Sequence, residues 1–209
     1  MSRLSEHSLL NSFSQKTSEF TLEQRRFLLR IAHGAIASAF ADDSPENTAE
    51  PPAAWPGLSA PRGVFTTLYL DGLLRGCIGY ATASRPLLQA VAETARAAAF
   101  DDGRFLPVTA EELSRLKISL SILSPLFPVT PERVEVGRHG LVISDGGRRG
   151  LLLPQVPVDS GWDRVKFLQE TCRKAGLGPD AWQKSAHLEA FTAEVFGDDD
   201  VDLVDDTAK

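Results

Sequence analysis

Residues 64–80 read VFTTLYLDGLLRGCIGY, and the folding of this stretch decides the rest. Two β-prone runs flank Asp71-Gly72. Asp-Gly favours a two-residue type I′ turn, because both central positions of that turn need positive φ. A hairpin is therefore expected. Counting outward from the turn pairs Leu70 with Leu73, Leu68 with Arg75 and Thr66 with Cys77. Side chains alternate along a strand, so Thr66, Arg75 and Cys77 should share one face. Phe65, Tyr69, Leu74, Ile78 and Tyr80 should line the other, which is larger and apolar and is expected to be the core face. Gly76 and Gly79 flank Cys77 and strip side-chain cover from the backbone there.

Towards the N-terminus, TLEQRRFLLRIAHGAIASAF carries apolar residues at helical intervals. Thr21 and Gln24 have capping-box spacing, which predicts a helix over 22–40. A Pro/Ala/acidic loop over 41–61 separates it from the hairpin. Beyond the hairpin, Pro86 opens the Ala-rich helix RPLLQAVAETARAAAF. Thr109 and Glu112 form a second capping box over EELSRL, and KISLSILS alternates as a strand. GLVIS and RRGLLLP read as a further hairpin around Asp145-Gly146-Gly147. Ser160 is the expected cap of the helix in GWDRVKFLQETCRKAGL, and HLEAFTAEVFG is read as a final strand. The tight hairpins argue against a purely parallel sheet. The expected class is mixed α/β, more specifically α+β, with largely antiparallel sheets and flanking helices.

The chain has 209 residues, 43% hydrophobic and 24% charged, which suits one domain or two small ones. No apolar run approaches the roughly 20 residues that cross a bilayer. The first 20 residues are polar and Ser-rich, without the apolar core of a secretory signal. Cys77 and Cys172 are too few for a disulfide framework, so a reducing cytoplasm is the expected location. The net charge is −6, but the loop 41–61 carries −4 and the segment 197–209 carries −5, so the rest carries +3. The acidity therefore says little against an anionic ligand on the folded body.

Most lone cysteines are small buried hydrophobes, and Cys172, at i+7 from Val165 on a core-facing helix stripe, reads as one. Cys77 differs, because Arg75 two residues away would favour a thiolate, unless it pairs with a carboxylate instead. His139 in GRHG is a possible base for such a thiol, though a loop histidine satisfied by backbone is the plainer reading. Arg104 in DDGRFLP is followed by an aromatic and a proline that would stiffen its loop. It suits a phosphate or carboxylate, or a surface ion pair with Asp101 or Asp102. No His, Cys, Asp or Glu set has zinc-ligand spacing, and no glycine-rich string leads into a helix as a phosphate loop does. No metal or cofactor is expected.

The hexapeptide LRGCIG (Leu74, Arg75, Gly76, Cys77, Ile78, Gly79) resembles the signature of the AMMECR-type domain family. The resemblance continues through DGRFLPVTAEEL, SLSILS, VEVGRHGLVI, RGLLLPQV, WDRVKFLQETCRKAGL and FTAEVF, in family order over 22–196. Some members carry an acidic residue where this chain has Ser119. The resemblance implies two subdomains folded together around a cleft, with LRGCIG at the functional centre. It also implies a place as first component of an AmmeMemoRadiSam set, beside a Memo-like protein and a radical S-adenosylmethionine protein. The expected organisation is a polar leader over 1–20, the matched domain over 21–196, and an acidic disordered tail over 197–209. The leading functional expectation is an enzyme-like component. Cys77 would serve as nucleophile or redox thiol and His139 as base or donor, while Arg75, Arg104 and Thr66 would hold a small anionic substrate. The alternatives are a non-catalytic module that docks the partner proteins and, weakest, RNA binding by the +3 body.

Overall fold

The computed structural model describes residues 18–41 and 51–201. The chain forms α1 (Leu22–Ala37), β1 (Val64–Leu70), β2 (Leu73–Tyr80), α2 (Leu87–Phe100), β3 (Leu116–Leu123) and β4 (Phe127–Pro128). It continues with β5 (Gly140–Asp145), β6 (Arg148–Leu152), α3 (Gln155–Asp159), α4 (Arg164–Lys174), β7 (His187–Phe191), β8 (Ala193–Gly197) and α5 (Asp198–Val201). Two four-stranded antiparallel sheets result, ordered β2-β1-β3-β8 and β4-β7-β5-β6. The fold is α+β, as the hairpins implied.

Both helix faces follow from the sequence pattern. The capping box at Thr21 and Gln24 is present, with the two reciprocal bonds at 3.3 and 2.9 Å. Leu28 and Ile31 of α1 and Leu87 and Val91 of α2 pack on Val64, Leu68, Ile118 and Leu120 of the first sheet. In the smaller subdomain, Phe167, Leu168 and Cys172 of α4 pack on Leu141, Ile143 and Leu188. Asp163, not Ser160, caps α4: its carboxylate accepts the Lys166 N–H at 2.7 Å. A charged acceptor suits a helix N-terminus, while Ser160 instead closes α3 before the turn at Gly161.

HLEAFTAEVFG is not one strand. It breaks at Thr192, leaving β7 in the second sheet and β8 in the first. The chain makes the opposite crossing between β3 and β4. The two crossings are tied together: Ser124 N–H donates to Thr192 O at 2.8 Å, and Thr192 N–H donates to Ser124 Oγ at 3.0 Å. Leu123, Val142 and Phe191, with half-buried Phe65 and Leu151, form a shared apolar junction between the sheets.

The ends of the domain also need correction. Gly197 pairs with Ser119, and α5 follows it, so the acidic segment begins inside the fold. Asp198 is buried, accepts the Ile118 N–H at 2.7 Å and bonds His33 Nε2 at 2.9 Å. Val201 is in the core. At the other end, Ser18 Oγ and the Glu19 N–H bond Glu194 at 2.8 and 2.6 Å, and Phe20 is buried. In the acidic loop, Leu58 is buried and Trp55 stacks edge-on to Phe27 at 5.7 Å. The remaining expectations for the leader (1–17), the loop (42–50) and the tail (202–209) lie outside the described residues.

The central hairpin forms with the expected turn, Asp71 at φ 51° and Gly72 at φ 79°. Its register then departs from simple counting. After Leu70–Leu73 and Tyr69–Leu74, a β-bulge leaves Arg75 unpaired, and the ladder resumes as Leu68–Gly76, Thr67–Cys77 and Thr66–Ile78. The single extra residue moves Cys77 onto the face of Thr67 and puts Thr66 on the other. Val64, Thr66 and Leu68 therefore face the helices, the reverse of the expected core face. The cause lies at Gly76, where α2 comes so close that a Cβ would land on the Ala98 carbonyl oxygen. Only glycine fits there, and the strand bulges so that it does.

Candidate functional site: the thiol face of the first sheet

On the outward face of the first sheet, three strands bring Cys77, Thr67 and Ser119 into one cross-strand row, which Gly197 of β8 continues without a side chain. Thr67 Oγ1 donates to Cys77 Sγ at 3.4 Å. The thiol is half-buried, not sealed in the core. Above it along the strands, Phe65 covers Gly79, with which it is paired, and reaches the junction with the second sheet. Below it the face opens towards Tyr69 and Lys117.

The loop after α2 closes the edge of this row. Asp102, with its side chain only 5% exposed, accepts the Cys77 N–H on Oδ2 at 2.8 Å. Arg104 forks onto the same carboxylate at 2.9 and 2.7 Å, and its Nη2 also donates to Cys77 O at 3.4 Å. The edge of β2 is thus paired by a side-chain carboxylate and guanidinium in place of another strand. The Arg104 hydrogen bond, then that of the Cys77 N–H, holds the Asp102 carboxyl far below the usual carboxylate range. Arg104 is itself raised, chiefly by its bond to Asp102. Its Nη1 has no hydrogen-bond partner among the described residues, so one donor of the guanidinium that bonds the Cys77 backbone is open.

The other expected site residues lie elsewhere. Arg75, expected to hold an anionic ligand, is committed to the protein: Nε and Nη2 each bond Glu112 at 3.0 Å, and Nη1 and Nη2 donate to the Leu106 and Pro107 carbonyls at 2.7 and 3.1 Å. It straps the Asp102–Arg104 loop to the hairpin. Glu112 is held below its ordinary range chiefly by that Arg75 bond. Thr66 is fully buried between sheet and helix, 2.8 Å from Thr94 Oγ1, and the bulge in β2 puts Cys77 on the opposite face from it. His139 belongs to the smaller subdomain, where its Nδ1 accepts the Glu135 N–H at 3.1 Å. It lines a different cavity, to which neither Cys77 nor Arg104 contributes. Leu74 is exposed and Ile78 packs against the core. The expected Cys–His pair is therefore not assembled. Thr67 and the edge-binding role of Asp102 were missed, because a one-residue bulge leaves no local pattern in the sequence. Cys172 is buried, and burial pushes its thiol up. Among the described residues, no group of three or more His, Cys, Asp or Glu is arranged to hold a metal, and no helix is long and apolar enough to cross a membrane.

An α+β protein of two sheet-based subdomains, with Cys77 of LRGCIG facing outward near their junction, is the class these features define. The chain belongs to the AMMECR1 family, whose model matches residues 29–196. It is 41% identical over 193 residues to a protein of Methanopyrus kandleri, covering 87% of this chain and 92% of the relative. It is 42% identical to the uncharacterized protein PH0010 of Pyrococcus horikoshii, whose crystal structure matches with a TM-score of 0.60 over 82% of this chain and 89% of that one.

Proposed function

We propose that the chain is a cysteine-centred component acting on a small anionic molecule in a cytoplasmic small-molecule or modification pathway. The observation that carries this reading is a half-buried Cys77 thiol on an outward sheet face, whose own backbone carbonyl is bonded by the Arg104 guanidinium with Nη1 left open. Cys77 Sγ is the nucleophile, steadied by the Thr67 hydroxyl. Arg104, fixed by Asp102, grips the anionic group. Ser119, next in the row, offers a hydroxyl to the same ligand. The test is a gene deletion complemented with wild-type, Cys77→Ser or Arg104→Gln protein, read by metabolite profile. The reading expects both variants to fail at wild-type protein levels. Full rescue by Cys77→Ser would sink it.

A second reading is a docking module for a Memo-like and a radical S-adenosylmethionine protein. It is favoured by Leu73 and Leu106, 74% and 83% exposed, beside the LRGCIG strand. It expects Leu73→Ser with Leu106→Ser to abolish co-purification with those partners while Cys77→Ala preserves it. No complex with the wild-type chain counts against it.

A further inference from the structure

The smaller subdomain holds an open cavity of about 910 Å³ between β4, the segment 129–139, Arg164 at the start of α4 and Thr192 at the sheet crossing. Its apolar wall is formed by Phe127, Val129 and Val134. Three arginines line it: Arg133, Arg138 and Arg164. Arg133 has no side-chain partner among the described residues, so its full fork is open. Arg164 uses one donor on the Glu132 carbonyl, at 2.8 Å, and keeps the others. Arg138 is engaged by Glu135 at 3.0 Å, and both are exposed, a pairing that a tighter ligand can exchange. Glu132 and Glu135 also line the rim, so the excess of positive charge is modest.

His139 is the second, independent feature. It is 6% exposed and stacks edge-on against Phe127, with ring centroids 5.7 Å apart. Burial lowers its pKa, so it is neutral at physiological pH. Its Nδ1 accepts the Glu135 N–H, which assigns the proton to Nε2. That Nε2–H has no acceptor among the described residues, and the residue lines the cavity. Nε2 is not sealed from solvent, so an acceptor inside the cavity can reach this donor from the wall.

We infer that this cavity is a binding site, separate from the thiol face, for a small organic phosphate with an apolar or aromatic body. A carboxylate needs one guanidinium fork. A phosphate monoester has three terminal oxygens and up to two charges, which fits two open arginines and an imidazole N–H. Phe127, Val129 and Val134 take the body of the ligand.

The test titrates the full chain, labelled with nitrogen-15, with phenyl phosphate, inorganic phosphate and benzoate in turn, following arginine side-chain and histidine ring signals. Phenyl phosphate should give saturable shifts at Arg133, Arg164 and His139 and bind roughly tenfold tighter than either other probe. Arg133→Gln and Arg164→Gln should each weaken it about tenfold. His139→Phe, which keeps the ring and loses the donor, should also weaken it while the amide spectrum stays native. Arg149→Gln, an exposed arginine outside the cavity, should leave binding unchanged. Saturating phenyl phosphate should not slow alkylation of Cys77. The inference is overturned by equal binding of benzoate, by absence of saturation up to about ten millimolar, or by shifts centred on Cys77 and Arg104. Only the last of these outcomes would bear on the thiol-face reading, and it would favour it.

Discussion

Asp102 connects the backbone of β2 to the charge beside its cysteine. One carboxylate accepts the Cys77 N–H and receives the Arg104 fork, so the position of the guanidinium is fixed relative to the sulfur. Its folded pKa is depressed, so its contribution to stability is fully present above the ordinary carboxylate range and is lost only as pH falls through its lower folded value. Asp102→Asn should therefore melt below the wild type at neutral pH, with the gap narrowing below about pH 4. Thermal scans across pH check this; a gap that widens in acid would contradict the assigned direction. The sequence shows Asp102 and Arg104 as neighbours in DDGRFLP and suggests an ion pair. It cannot show that the pair closes on a strand edge, because that depends on where α2 delivers the loop.

At the scale of elements, the hairpin and its bulge set what faces outward. The Asp71-Gly72 turn was legible because its chemistry is local. The bulge was not, since it answers to a long-range contact: β2 can approach the Ala98 carbonyl only at a glycine. Gly76→Ala should cost stability at the upper end of the roughly 1–3 kcal/mol typical of overpacking, measured by denaturant unfolding. A neutral substitution would mean that the close approach does not direct the register. Arg75 makes the complementary strap to Glu112. Removing one partner of a well-enclosed ion pair is expensive, so Arg75→Ala should cost roughly 3 kcal/mol. A double-mutant cycle with Glu112→Ala should recover part of that cost. Additive effects would show that the two groups act independently. Helices and strands with strong periodicity, such as α1, α2 and β3, were legible almost to the residue. The break at Thr192 was not, because both of its halves alternate as strands.

At the scale of the molecule, two antiparallel sheets share one junction and exchange the chain twice. Phe65 links the junction to the thiol face by covering Gly79. Phe65→Ala should cost about 2–3 kcal/mol, less than a fully buried Phe→Ala at roughly 3–5, because the ring is half-buried. Amide exchange should quicken at Gly79 and in β6 together; quickening confined to one sheet would deny the coupling. The matched family and the α+β class were readable from motifs and turns spread along the chain. The membership of the site was not, since it required knowing which sheet carried His139 and which face carried Cys77. The central claim is that Cys77 is an accessible thiol with Arg104 poised to hold a negative group beside it. Its most direct test compares alkylation of the native protein by neutral iodoacetamide and anionic iodoacetate, in wild type and Arg104→Gln. The account predicts modification of Cys77 and not Cys172, with iodoacetate favoured relative to free cysteine and that preference lost in Arg104→Gln. A Cys77 that stays unmodified while the protein is folded, or a reagent preference indifferent to Arg104, would contradict it.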